Sequence, residues 1–423
     1  MHKKITFDNG LRLIHIPNKT TKSASLFVLY GVGSRHETRD INGASHFIEH
    51  LMFKGTKKRP STLDISKALD SVGSEYNAAT SKDWTGYYVK IDSKKFELAI
   101  DVVSDMLQNS KFDAVEINKE RGVILEEINM YQDNPIMYVE DALEQLMFQG
   151  STLGWEIAGP KKNIQEVSRK KLVDYKDKYY IPQNMVVGIA GNISEKEAVS
   201  LVSKYFETKK IKDNSNAPFK PYVTTQKEPR IKVIYKKTEQ VQLAFGFPGV
   251  SYADENLETL ALLSVILGGN MSSRLFLSVR EQRGLAYFIR SYPNVYQDTG
   301  NLVIQSGLDR SRLQEAIKVI IGELKKVKKH GVTAAELQKA KDYVRGKIIL
   351  TLEDSSSLAD WYVKHELLEN KIITPEQKFK KLNNVTVGRI KKLAEEIFST
   401  NSINLAIIGP FKNKKPFEKL LKL

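Results

Sequence analysis

The stretch His46-Phe47-Ile48-Glu49-His50 is where this sequence of 423 residues concentrates its chemistry. On a helix, residues i and i+4 share a face, so both imidazoles can converge on one ion, and Glu49, three after His46, stays beside them. The remaining histidines, His2, His15, His36, His330 and His365, form no second pair. There is no cysteine, which excludes thiolate nucleophiles, disulfides, cysteine-ligated zinc and iron–sulfur clusters together. A bound metal must therefore use His, Asp or Glu. Hydrolytic zinc sites take three protein ligands and leave a position open for water, so the third ligand must be another His or a carboxylate. A helix expected over residues 113–131 offers Glu120, Glu126 and Glu127. Glu120 and Glu127 are two turns apart and share a face; Asp113 and Glu116 extend the acidic supply toward the helix start. The competing account is a pair of surface histidines and a solvated acidic helix face.

These side chains need a scaffold, and the length favours two domains of about 200 residues each. Asn9-Gly10 reads as a hairpin turn between Ile5-Thr6-Phe7 and the alternating Leu11 to Ile16. Helical patterns follow over 43–53, 62–71, 94–107, 113–131, 168–179 and 195–206, the fourth ended by Asn134-Pro135, with β-forming stretches at 76–80, 85–91 and 185–190, the last closed by a Gly191-Asn192 turn. Residues 209–230 lack periodicity and hold three prolines, which marks a linker. Val186 to Gly191 corresponds to Asn404 to Gly409 at an offset of 218 residues, and Ala24 to Val28 to Val241 to Phe245 at an offset of 217. A nearly constant offset implies two copies of one α+β domain. The expected organisation is residues 1–210, a linker over 211–230, and a homologous copy over 231–423.

The same offset carries the histidine helix of the first copy onto Leu263, Ile266 and Leu267, in place of His46, Glu49 and His50. All three are apolar, so the second copy keeps a core helix and only the first should bind metal. No apolar run approaches the roughly 20 residues needed to cross a bilayer. The start of the chain lacks an apolar signal region, so no membrane insertion and a cytoplasmic location are expected. A formal charge of +15 could suggest nucleic acid. Lysines outnumber arginines 50 to 15 and are dispersed, with no aromatic-interleaved basic motif, so a solvated lysine surface and no nucleic-acid partner are expected.

With His46-x-x-Glu49-His50 followed after 76 residues by Glu127, and Glu120 seven positions earlier, the sequence resembles the pitrilysin family of inverted-motif zinc metallopeptidases. Its short bacterial members are nearest in length, and the catalytic subunit of the mitochondrial processing peptidase is another relative. The resemblance extends to Gly33-Ser34-Arg35 with Glu37, Phe53-Lys54-Gly55-Thr56, Asn77-Ala78 with Thr80, and Arg280-Glu281-Gln282-Arg283-Gly284-Leu285-Ala286-Tyr287. Ser45 is a small departure, standing where the family often has another small residue.

The resemblance implies one zinc per chain on His46, His50 and Glu127, with Glu49 as catalytic base and Glu120 hydrogen-bonded to a ligating histidine. It implies a clamshell of two homologous mixed-sheet-plus-helices repeats, with Arg280 and Tyr287 contacting substrate from the wall opposite the metal. The strand at 76–80, with Asn77 and Ala78, is the edge on which a peptide would be laid, which favours unstructured peptides as substrates. The readings to be separated are a zinc endopeptidase acting alone or as a homodimer, a catalytic subunit needing a homologous non-catalytic partner, and a non-catalytic scaffold.

Overall fold

The computed structural model describes residues 2–206 and 218–423, among which the strands form two sheets. The first holds β1 (Lys3–Thr6), β2 (Arg12–Pro17), β3 (Ser23–Tyr30), β4 (Glu75–Thr80), β5 (Thr85–Asp92) and β6 (Met185–Gly191), in the order β1-β2-β6-β3-β5-β4. The second holds β7 (Arg230–Tyr235), β8 (Gln240–Pro248), β9 (Ala286–Val295), β10 (Gly300–Asp309) and β11 (Asn404–Gly409), in the order β7-β11-β8-β10-β9. The Asn9-Gly10 turn joins β1 and β2 antiparallel, with Gly10 at φ 88°.

Without β1, the first sheet has the strand order of the second. The parallel pair Arg12↔Val186 recurs as Arg230↔Asn404, both partners displaced by 218 residues. The antiparallel pair Val28↔Val187 recurs as Phe245↔Leu405, displaced by 217 and 218. Two copies of one α+β domain, legible as a sequence offset, are thus written into the hydrogen-bond register.

Chain order, the basis of the boundaries 1–210, 211–230 and 231–423, is not how packing divides the molecule. One compact unit comprises Met1–Ile128, Trp155–Lys220 and Ile349–Thr374; the other comprises Asn129–Gly154, Pro221–Ile348 and Pro375–Leu423. The physical reason is that each sheet has two apolar faces. Strand β6 is buried along its whole length, and β2 over its central residues, the mark of strands covered on both sides. One face of the first sheet packs on its own repeat's helices. The other, through Ile14, Leu29, Val186 and Ala190, is covered by Ala359, Tyr362 and Val363 of the helix Ser355–Glu369. Gly188 lets that helix approach, since a Cβ there would run into Val363. The second sheet borrows the helix Pro135–Met147 in the same way, with Gly246 against Met147.

Asn134-Pro135, expected only to end the preceding helix, also begins this one. Asn134 caps Ile136 and Pro135 occupies the first turn, where its missing N–H costs nothing. Of the expected linker, residues 211–217 lie outside the described residues, and 218–229 carry neither helix nor strand. No helix among the described residues is long and apolar enough to cross a membrane.

Candidate active site

The histidine helix spans Ala44–Leu51. Phe47, Ile48 and Leu51 are buried in the core of the first unit, each contributing about 1.5–3 kcal/mol. Burying that face turns His46, Glu49 and His50 the other way. The helix start is held by Glu37, a residue the resemblance marks but whose role its spacing does not show. Glu37, 3% exposed, accepts hydrogen bonds from Gly43 N (2.7 Å), Ser45 N (2.7 Å) and Asn42 Nδ2 (2.9 Å), which occupies first-turn N–H groups and sets negative charge against the positive helix end. Burial pushes the Glu37 carboxyl up, and these hydrogen bonds oppose the shift. Gly43 precedes the helix at φ 103°, a conformation that favours glycine. The Ser45 hydroxyl lies 3.0 Å from the Tyr175 hydroxyl, so the departure at Ser45 serves as a buried tie.

The acidic helix runs from Ala114 to Asp133 and buries Ile117, Glu120, Ile124 and Ile128. Its acids divide by role. Asp113 caps the helix, accepting from Val115 N at 2.8 Å; Glu116 pairs with Lys119 at 2.6 Å; Glu126 is exposed. Only the face bearing Glu120 and Glu127 meets the histidines. His46 Nε2 and His50 Nε2 are 3.2 Å apart, and Glu127 Oε2 lies 3.6 Å from the first and 3.4 Å from the second.

A tetrahedral zinc with ligands at about 2.0–2.1 Å sets its donor atoms about 3.3 Å apart. The triangle of 3.2, 3.4 and 3.6 Å fits that ion, and two nitrogens with one carboxylate oxygen are a zinc donor set. Among the described residues, His46, His50 and Glu127 are the one group of three such side chains close enough to hold a metal. In the second repeat Leu263, Ile266 and Leu267 are core residues of the helix Leu257–Gly268.

Glu120 stands behind His50, with Oε1 2.8 Å from Nδ1, and its Oε2 accepts from Lys54 Nζ at 2.7 Å. A proton held on His50 Nδ1 leaves the Nε2 lone pair facing the cluster. Burial disfavours the charged His50 ring, but Glu120 and Glu127 outweigh it and raise its pKa to about 9. Burial and the neighbouring His50 push His46 down. The metal-free pair therefore carries its proton on His50 at neutral pH.

Glu49 is half-buried, and burial raises its carboxyl above the usual carboxylate range, the direction that favours a general base. Its Oε2 accepts a hydrogen bond of 2.5 Å from Thr80 Oγ1 at the end of β4. Among the described residues, strand β4 is an edge, pairing with β5 alone. Asn77 and Ala78 lie on it, Asn77 Oδ1 accepting from Ala78 N at 2.9 Å. In the other unit, Arg280 sits in the π-helical turn Phe276–Glu281 and Tyr287 on β9. The Arg280 guanidinium lies 4.8 Å from the Phe276 ring centre and 6.0 Å from that of Tyr287. Tyr287 is 74% exposed and is no core residue.

Three motifs scattered along the sequence prove to be one assembly. Ser34 N and Arg35 N donate to Ser81 O and Lys82 O, each at 3.1 Å, and Arg35 Nη1 donates to Asp83 at 2.8 Å. Gly33 must be glycine for this approach, because a Cβ would overlap the Ser81 carbonyl. The turn that leads to Glu37, and so to the histidine helix, is thereby clamped to the hairpin that carries Thr80. Spacing along the chain carried no sign of this clamp; its hydrogen bonds join residues about 50 positions apart that only the tertiary fold brings together.

A family model described as insulinase (peptidase family M16) matches residues 12–161, and one described as peptidase M16 inactive domain matches residues 166–344. The chain is 38% identical over 413 residues to uncharacterized zinc protease YmxG of Bacillus subtilis (strain 168), covering 98% of this chain and 99% of that protein. It is 36% identical over 417 residues to uncharacterized zinc protease SCO5738 of Streptomyces coelicolor, covering 98% and 90%. Among solved structures it is similar to a protease from Helicobacter pylori, with a TM-score of 0.91, 26% identity, and coverage of 97% of this chain and 99% of that one.

Proposed function

This chain belongs to the insulinase family of zinc metallopeptidases, peptidase family M16, and from that premise we propose that it is an endopeptidase for unstructured peptides, with one zinc held by His46, His50 and Glu127. The observation that carries the reading is the triangle of donor atoms at 3.2–3.6 Å with Glu49 beside it. Zinc bound there supplies Lewis-acid polarisation of the scissile carbonyl and brings the pKa of a water toward neutrality. Glu49 takes the proton of the attacking water as its oxygen bonds to the carbonyl carbon. It then delivers that proton to the amine nitrogen as the C–N bond breaks. Glu120 orients His50, and, against the effect of burial, hydrogen bonds from His50 and Lys54 hold its carboxyl below the usual carboxylate range.

Extended main chain adds to the free edge of β4 at Asn77 and Ala78 by β-augmentation, a mode that recognises flexible backbone more than side chains. Arg280 and Tyr287 donate to substrate carbonyl oxygens and to the developing oxyanion. Either Arg280→Ala or Tyr287→Phe should lower kcat/KM about a hundredfold, the low end for loss of an oxyanion donor, with zinc content unchanged. Wild-type turnover in both would withdraw this assignment. Against a non-catalytic scaffold stands the complete set of His46, Glu49, His50 and Glu127.

Elemental analysis should find one zinc per chain, and cleavage of a quenched unstructured peptide should stop with a chelator and return with zinc. Zinc binding must displace the His50 proton, so affinity should rise about tenfold per pH unit between pH 6 and 8 and level off near the His50 pKa of about 9. No metal after zinc is supplied, or cleavage indifferent to chelator, would refute the reading.

A further inference from the structure

The two oxygens of Glu49 are not equivalent. Oε2 is occupied by the Thr80 hydroxyl at 2.5 Å, which leaves Oε1 to meet the attacking water. A glutamate χ3 is broad and roughly two-fold, so without a partner the carboxylate samples orientations in which neither oxygen is aimed. Thr80 is well suited to remove that freedom because its own backbone is held. It is the last residue of β4, paired with Thr85, and the chain beyond it is clamped by Ser34 N→Ser81 O, Arg35 N→Lys82 O and Arg35–Asp83. Thr85 Oγ1 further donates to Val32 O at 2.9 Å. Tyr76 and Ala78 share the half-buried face of β4 with Thr80 and pack against the core that includes Phe47, Ile48 and Leu51. Among the described residues no strand pairs with its other edge.

From this geometry we infer that Thr80 is a positioning residue that ties the orientation of Glu49 to the clamped end of the edge strand β4. The inference rests on the reading of Glu49 as base. Thr80 acts through Glu49, so its loss falls on kcat rather than on peptide affinity. Nor does it touch the ligand atoms, so zinc is retained.

The test compares Thr80→Val, which keeps the shape and removes the hydroxyl, with Thr80→Ser, which keeps the hydroxyl, and with Glu49→Gln. Three quantities are measured on the full chain: zinc content, affinity of zinc-free protein for an unstructured peptide, and kcat of the zinc-loaded enzyme. The expected result is a kcat lowered about ten- to hundredfold in Thr80→Val, within about threefold of wild type in Thr80→Ser, and unchanged zinc content and peptide affinity in both. A Thr80→Val kcat near wild type while Glu49→Gln is inactive would overturn the positioning role alone. So would a Thr80→Ser variant as impaired as Thr80→Val, which would make the methyl group's packing the cause, or loss of zinc or peptide binding in Thr80→Val. Wild-type turnover in Glu49→Gln would overturn the base assignment and this inference with it.

Discussion

Glu49→Gln should keep its zinc and lose turnover by about a thousandfold, within the range that general-base catalysis supplies. The substitution is nearly isosteric, and the amide carbonyl can still accept the Thr80 hydrogen bond that Glu49 Oε2 accepts now. Local structure is therefore preserved. Glu49 is outside the triangle of donor atoms formed by His46, His50 and Glu127, so metal content should match wild type by elemental analysis. What the variant lacks is basicity: an amide does not take a proton from water near neutral pH. Steady-state cleavage of a quenched peptide, normalised to bound zinc, reads the effect directly. Turnover within tenfold of wild type would place the base elsewhere.

Removing the Arg35 guanidinium should cost about 3–5 kcal/mol of stability, the range for breaking one side of a buried ion pair. Arg35 and Asp83 are each 1% exposed, with Nη1 2.8 Å from the Asp83 carboxylate and the guanidinium 3.7 Å from the centre of the Phe219 ring. Arg35→Met keeps much of the stem and leaves the Asp83 charge without the guanidinium that faces it. Arg35→Met/Asp83→Leu removes both charges and should recover most of the loss, because a well-packed apolar pair is often as stable as the ion pair it replaces. Urea unfolding of the two variants beside wild type provides the comparison. A loss under about 1 kcal/mol in Arg35→Met, the level of an exposed pair, would show that the pair does not hold the turn to the hairpin.

The elements legible in the sequence share a feature: their signals are local. The helix at 195–206 and the strand starting at Met185 follow from periodicity and from the Gly191-Asn192 turn, and they are found at Glu195–Phe206 and Met185–Gly191. The turn at Asn9-Gly10 was legible for the same reason. Asn134-Pro135 ends the preceding helix at Asp133, as expected, but the helix it begins, Pro135–Met147, was not legible. Proline is a stop signal for the helix before it and can start the one after it, and whether a helix follows depends on a partner for the following apolar face. That partner is the second sheet. A fragment ending at residue 210 would lack the helix Ser355–Glu369 and expose Ile14, Leu29 and Val186 of the first.

At the site, the sequence by itself determined that His46, Glu49 and His50 share a helical face and that the second copy, with Leu263, Ile266 and Leu267, has no metal site of this kind. Helical spacing and a constant offset are properties of the covalent chain, readable without knowing what packs where. Residue spacing left Glu120, Glu126 and Glu127 open as third ligand, and it was the family resemblance that singled out Glu127. Tertiary structure alone decided which carboxylate oxygens meet the imidazoles: Glu127 Oε2 on the two Nε2 atoms, Glu120 Oε1 on His50 Nδ1, and Glu126 turned to solvent. It alone brought Glu37 to the helix start, Thr80 to Glu49 and Arg35 to Asp83. Each of these contacts depends on how separate elements dock. Docking is set by the burial of apolar faces across the whole unit, a sum over many residues that no short stretch of sequence contains.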